Sequence, residues 1–280
     1  MSGVQDMSKL QQLLSEQRPL VMGILNTTPD SFSDGGQFNL VSSAVDHALQ
    51  MIEQGADMID VGGESTRPGA EPVSLDEEIF RVIPVIEKIR QHSSVLISVD
   101  TSKAEVMRRA VAAGADMIND VLALQLPGAM EACAQLKVPV CLMHMQGEPR
   151  SMQSSPHYAD VVAEVKDFLQ HRAAACVQAG IAKGNIVIDP GFGFGKSLEH
   201  NLLLLKHLDA FNALHYPVLV GMSRKSMIGK ILDAEVGDRL YGSLAAAVLA
   251  WSKGARIFRV HDVKPTLDAL RISHAVSTIN

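Results

Sequence analysis

The chain has only three cysteines, Cys133, Cys141 and Cys176, and no two of them form a CxxC pair. An odd number at such spacing excludes a disulfide or zinc framework and reads as reduced thiols in a cytosolic protein. Positive charge is also in short supply. Lys and Arg total 25 against 31 Asp and Glu, a formal charge of −6, with no basic run. General nucleic-acid binding is a poor fit to that balance. An anionic small molecule suits it, provided that cations are placed locally. No apolar run approaches the roughly 18 residues of a membrane span. The opening MSGVQDMSKLQQLLSEQRPL carries Asp6 and Glu16 and lacks an apolar signal core, so no membrane contact and a cytoplasmic location are expected.

What is present is a repeated unit. In a chain of 280 residues, 47% hydrophobic, a short β-branched run ends in polar residues and a helical stretch follows. The runs are VMGIL before Asn26, DMIDV before Gly62, VLISV before Asp100 and DMIND around Asn119. VPVCLM before His144, NIVI before Asp189, PVLVGM before Ser223 and RIFRV before His261 complete the series. Their compact apolar character suits parallel strands covered on both faces. Between them, Ala44, Ala48, Met51 and Ile52 recur at helical spacing, with Asp46, Gln50 and Glu53 interleaved. Gly55-Ala56-Asp57, Gly114-Ala115-Asp116 and Gly254-Ala255-Arg256 mark points where a helix stops and a strand begins.

Alternating strands and helices allow a closed eight-fold barrel or an open doubly wound sheet. Eight units favour the barrel, and about 250 residues is a common length for one. The expected fold class is therefore α/β, a single (β/α)8 TIM barrel over residues 20–280 with a short N-terminal extension over 1–19. In such a barrel the strands' carboxyl ends converge on one mouth, where the chemistry is placed. Asn26, Glu64, Asp100, Asn119, His144, Asp189, Lys225 and His261 occupy those ends.

The motifs at these ends carry the chemistry. Asn26-Thr27-Thr28-Pro29-Asp30-Ser31-Phe32-Ser33-Asp34-Gly35-Gly36 is a loop on turn chemistry alone. Asp60-Val61-Gly62-Gly63-Glu64-Ser65-Thr66-Arg67-Pro68-Gly69 sets an Arg, a planar fork of donors suited to phosphate oxygens, among glycines. Asp100, Asn119 and Asp189 offer acceptors and amide donors of the kind a heterocycle edge requires, though each residue type also serves caps and turns. Thr101 or Ser102 is placed to cap the next helix. Asp189-Pro190-Gly191-Phe192-Gly193-Phe194-Gly195-Lys196 fails both the Walker pattern and the dinucleotide fingerprint on its glycine spacing. Gly221-Met222-Ser223-Arg224-Lys225-Ser226 brings two adjacent cations to the mouth, and the helix start beyond Ser223 suits an anion. Period two sends Arg259 and His261 to the same side of the last strand. His144 reads as structural or close to a bound heterocycle, and nothing supports a zinc site there.

Taken in order, NTTPDSFSDGG, GESTRPG, DPGFGFGK, GMSRKS and RVH resemble the signatures of the dihydropteroate synthase family of pterin-binding enzymes, from about Val21 to about Lys264. Thr27 departs from the valine expected in the first of them. The resemblance implies a transferase of folate biosynthesis, a target of sulfonamides, that joins a dihydropterin methyl diphosphate to p-aminobenzoate. It implies Asp100, Asn119 and Asp189 on the pterin; Thr66, Arg67, Arg259 and His261 on the diphosphate; and Lys225 between pterin and aminobenzoate. Met145 would pack on the pterin ring. Pro68, Phe194 and Ser223 would line the aminobenzoate side, and Asn26 would be the protein ligand of Mg²⁺. Arg67, Lys225, Arg259 and His261 are the candidate catalytic residues, acting on a departing diphosphate, and a homodimer is expected. Two other readings fit the motifs less well. A methyltetrahydrofolate-binding methyltransferase barrel would have no use for Thr66-Arg67 and Arg259-x-His261. A non-catalytic pterin-binding paralogue would tend to lose them.

Overall fold

The Gly-Ala-Asp echo shows how each unit is joined to the next. Gly55 and Gly114 end their helices with φ of +97° and +111°, where a side chain would be strained. Two residues on, Asp57 Oδ2 accepts from the Val21 backbone N–H (2.8 Å) and Asp116 Oδ2 from that of Ile97 (3.0 Å). Each carboxylate also pairs with an arginine, Arg18 at 2.7 Å and Arg90 at 2.5 Å. The repeated aspartate thus satisfies a backbone N–H near the start of a strand.

The computed structural model describes residues 7–27, 37–65, 69–147, 152 and 156–279, with residues 37–39 described by their backbone alone. The strands are β1 (Leu20–Asn26), β2 (Met58–Gly62), β3 (Leu96–Asp100), β4 (Met117–Asp120), β5 (Val140–Met143), β6 (Ile186–Asp189), β7 (Val218–Val220) and β8 (Ala255–Val260). They form a closed parallel barrel in chain order, β8 returning to β1. Helices α1 (Lys9–Ser15), α2 (Gln37–Glu53), α3 (Leu75–His92), α4 (Ala104–Ala112) and α5 (Ala129–Leu136) come from the first half. The second half supplies α6 (Val161–Gln178), α7 (Leu198–Lys206), α8 (Ser226–Leu232), α9 (Leu240–Ser252) and α10 (Val263–Thr278). The eight strands expected from the sequence are all present, and the closed barrel, not the open sheet, is the architecture.

Period two divides every strand between two cores. Val21, Leu25, Ile59, Val61, Ile97 and Val99 face outward and pack with the helices in one large cluster. Leu20, Met22, Met58, Leu96, Met117 and Leu219 face inward and fill the lower bore. The floor is closed by α1, whose Leu10 is buried in that inner cluster. Burying one such leucine contributes about 1.5–3 kcal/mol. A capping box fixes the helix: Ser8 Oγ accepts from Gln11 N–H at 3.3 Å, and Gln11 Oε1 accepts from Ser8 N–H at 3.0 Å. One expectation about capping needs correcting. Neither Thr101 nor Ser102 caps α4, which begins after Lys103 with no side-chain cap. Ser102 Oγ donates instead to Asp120.

Candidate active site at the barrel mouth

Strand register brings the polar tips into one line. Asn26 pairs with Gly62, Gly62 with Asp100, and Asp100 with Asn119. Met143, further round, pairs with Asp189. The shear of a barrel sets these residues around one rim although they are far apart in sequence. One pleat below lies a charged layer that the sequence reading did not assign. Asp60 and Ser98, fully buried, sit side by side on β2 and β3.

Asp60 is the centre of this layer. Its Oδ2 accepts from Arg259 Nε at 2.6 Å and from Asn119 Nδ2 at 3.1 Å. Arg259 Nη2 also donates to Asp100 Oδ2 at 2.8 Å. One guanidinium therefore holds two carboxylates, a planar fork matched to both. Burial works against the charge of Arg259, but Asp60 and Asp100 hold its pKa above the ordinary arginine value. Burial pushes the Asp100 carboxyl up, Arg259 pulls it back and Asp60 pushes it up again, to about 7. Asp60 Oδ1 and Ser98 Oγ are buried without a protein partner among the described residues. The missed signal was parity. Asp60 shares the inward face of β2 with Met58, and a carboxylate there calls for a buried cation.

The far side of the mouth is built on β6 and β7. Asp189 Oδ1 accepts from Gly191 N–H at 2.7 Å, and burial raises its pKa, opposed mainly by Lys225. Lys225 Nζ donates to the Phe192 carbonyl and lies 4.4 Å from the centre of the Phe194 ring. Burial lowers the Lys225 pKa to about 8, with Asp189 opposing. Ser223 Oγ accepts from His261 N–H at 3.2 Å and lies 3.1 Å from His261 Nδ1, so the ends of β7 and β8 are tied together. Arg224, adjacent to Lys225, points away and pairs with Asp262.

The second loop is anchored at its root. Arg81 Nη1 donates to the Gly63 carbonyl at 3.0 Å, and Lys103 bridges Glu64 and the buried Glu78. Asp100, Asn119, Asp189, Phe194, Ser223, Lys225, Arg259 and His261 thus gather at one mouth, with Asn26 half-buried on the same rim. Thr66, Arg67 and Pro68, and the first loop from Thr28 to Gly36, lie outside the described residues. His144 is a structural residue. Its buried ring meets Phe168 edge-on and lies 2.9 Å from Lys196 Nζ, with no cluster of three metal-ligating side chains among the described residues. Met145 packs at the edge of the cluster formed by Met143, Met152 and Phe194.

The chain is similar to known proteins over most of its length. The pattern of the pterin binding enzyme family matches residues 22–261. The dihydropteroate synthase of Escherichia coli (strain K12) is 58% identical over 257 residues, 92% of this chain and 91% of that one. The Haemophilus influenzae dihydropteroate synthase is 54% identical over 259 residues, covering 92% and 94%. Among solved structures, the Xanthomonas albilineans dihydropteroate synthase with 4-aminobenzoic acid superposes with a TM-score of 0.90 at 55% identity, covering 94% of each chain. The Yersinia pestis enzyme, solved as a sulfonamide drug complex, gives 0.90 at 54%, covering 94% of this chain and 96% of that one. The chain belongs to the pterin binding enzyme family and, within it, to the dihydropteroate synthases.

Proposed function

We infer that this transferase condenses (7,8-dihydropterin-6-yl)methyl diphosphate with p-aminobenzoate, giving 7,8-dihydropteroate and diphosphate for folate biosynthesis. The observation that carries the reading is the convergence of Asp100, Asn119, Asp189, Lys225 and Arg259 on one barrel mouth, in a chain 58% identical to a dihydropteroate synthase. Asp100, Asn119 and Asp189 read the pterin edge. An analogue lacking the matching groups would leave their buried polar atoms unpaired. Lys225 lies between the pterin and the aminobenzoate, and Phe194, Pro68 and Ser223 border the latter. Thr66, Arg67, Arg259 and His261 stabilise the departing diphosphate, and fixed charge facing charge that develops in the transition state is commonly the largest catalytic contribution.

An aniline nitrogen is a modest nucleophile, so departure of the leaving group is the difficult step. The carbon–oxygen bond to the diphosphate breaks first, its electron pair leaving with the oxygen. The cation left on the methylene is shared with the pterin ring and favoured by Asp100 and Asp189. The amine lone pair then bonds to that carbon, and its proton is lost afterwards, so no dedicated base is required. Diphosphate release without aminobenzoate is the expected mark of this order. A release that depends wholly on aminobenzoate, with concerted isotope effects, would count against it.

Asn26 suits Mg²⁺. It would offer one neutral oxygen at the rim to an ion that commonly completes its shell with water and substrate oxygens. When bound there, Mg²⁺ would supply positive charge to the diphosphate oxygens. The chain works in the cytoplasm as one barrel domain, residues 20–280, with residues 1–19 as an extension. That no described helix is long and apolar enough to cross a membrane accords with this. It works as a homodimer, supported by the exposed Ile231, Leu232, Tyr241, Leu249, Ile272 and Val276 on α8, α9 and α10. The deciding experiment is a coupled assay for diphosphate release with and without p-aminobenzoate and Mg²⁺. Full turnover with both present is expected, and no release under any condition would sink the reading.

A further inference from the structure

The loop from β6 to α7 carries Phe194 to the mouth by a path that only glycine allows. Gly191 and Gly195 have φ of +71° and +61°, and a Cβ on them would fall 1.8 Å from the His144 carbonyl oxygen and 2.2 Å from that of Gln146. A backbone folded this tightly turns its carbonyls inward, where each needs a donor. Side chains provide them. The Lys196 ammonium, 2% exposed, donates to the Gly191 carbonyl at 2.9 Å and the Phe194 carbonyl at 3.0 Å. Its third proton faces His144 Nδ1 at 2.9 Å. Tyr158 Oη donates to the Gly195 carbonyl at 2.8 Å. Asn201 accepts from Gly193 N–H at 2.7 Å and donates to the Ser197 carbonyl at 2.7 Å.

Four acceptors surround this one Nζ, three within 3.0 Å and the His144 carbonyl at 3.4 Å, a set that suits the three donors of an ammonium better than the two of a neutral amine. The same geometry requires His144 to be neutral, with its proton on Nε2. Burial and the charge of Lys196 lower the His144 pKa to about 3, in keeping with a neutral ring. Burial lowers the Lys196 pKa to about 7, with Asp189 opposing and Lys225 adding to the fall. None of these contacts is needed to close the barrel, whose strands pair without them.

We propose that Lys196, assisted by Tyr158 and Asn201, is a positioning residue that holds the 190–197 loop so that Phe194 faces Lys225 and forms the wall against p-aminobenzoate. The inference rests on the assignment of Phe194 to the aminobenzoate side. On the pterin side, the network of Asp60, Asn119, Asp100 and Arg259 does not pass through this loop, and Asp189 meets it at the Gly191 N–H. Loss of Lys196 should therefore divide the two substrates.

The test is steady-state kinetics together with calorimetric pterin binding on Lys196→Met, Tyr158→Phe, Phe194→Ala and the Lys196→Met/Phe194→Ala double variant. Lys196→Met is expected to raise KM for p-aminobenzoate about tenfold or more while pterin affinity stays within about threefold, since a small misplacement of a positioning group suffices for such a loss. Tyr158→Phe, which removes one oxygen, should give a smaller rise of the same sign. The double variant should be no worse than the worse single one. If Lys196→Met fails to fold, Tyr158→Phe alone and combined with Phe194→Ala decides by the same criteria. A KM unchanged in Phe194→Ala overturns the assignment of that ring and this inference with it. A KM raised in Phe194→Ala but not in Lys196→Met or Tyr158→Phe, or singles that add independently, overturns this inference alone.

Discussion

The lower and upper halves of the barrel bore are made by the same strand faces and have opposite chemistry. Along β2 the inward residue changes from Met58 to Asp60, along β3 from Leu96 to Ser98 and Asp100, and along β8 from Ile257 to Arg259. Below, Leu10, Met22, Met58 and Met117 form an apolar plug; above, one partly exposed guanidinium pairs with two buried carboxylates. Burying apolar surface stabilises, whereas burying charge costs energy that the pairing only partly offsets. The contrast assigns stability to the floor and chemistry to the mouth. It also explains why Arg259 is held beneath the rim, on Asp60 and Asp100, in the described structure.

Single changes in either half should break this division or sharpen it. The largest effect is expected from Asp189→Ala, which should reduce pterin affinity by on the order of 100-fold or more, because the pterin's own donors would then be buried unpaired. Titration calorimetry with a dihydropterin reads it, and an unchanged dissociation constant removes the assignment. Next comes Arg259→Ala. It should lower kcat by roughly 100-fold if the side chain acts on developing charge, with a smaller change in pterin affinity. Equal losses in kcat and pterin affinity would instead make Arg259 a holder of Asp60 and Asp100. In the floor, Met58→Ala should cost about 2–5 kcal/mol of stability by opening a cavity, with KM for both substrates little changed.

The smallest expected effect is pH dependence from Asp100. Its carboxyl must be ionised to accept from the pterin's amino and N3 hydrogens. With its pKa raised from 3.8 to about 7, pterin affinity should rise through neutral pH, at a slope of no more than about tenfold per unit. Asp100→Asn should be flat over the same range. Stability takes the opposite sign. The folded state keeps a proton that the unfolded chain has released, so a contribution present below about pH 3.8 is lost as pH rises towards 7. Denaturant melts at pH 5 and pH 8, compared between wild type and Asp100→Asn, would read it.

Much of this was legible in the sequence because short parallel strands announce themselves by local composition. The run DMIDV covers Met58–Gly62 and VLISV covers Leu96–Asp100 with boundaries off by a residue. Glycine at the helix ends, as at Gly55 and Gly114 with their positive φ, also acts locally. What could not be read this way was pairing over long sequence distance. Asp60 meets Arg259 across 199 residues, and Lys196 meets His144 across 52. Parity alone would have placed Asp60 inside the barrel, but not its partner. The capping of α4 failed for a related reason: Asp120, brought alongside by β4, takes the Ser102 hydroxyl. Motif resemblance named the rim residues and was silent on the roles of Tyr158 and Asn201, which bond to the loop, and of Lys196, which bonds within it.

The most direct test is to measure dihydropterin affinity and melting temperature side by side in Asp189→Ala and Met58→Ala. The account predicts that Asp189→Ala loses pterin binding with the smaller melting shift, and that Met58→Ala melts earlier with its pterin affinity intact. Pterin binding kept in Asp189→Ala, or lost in a folded Met58→Ala, would contradict it.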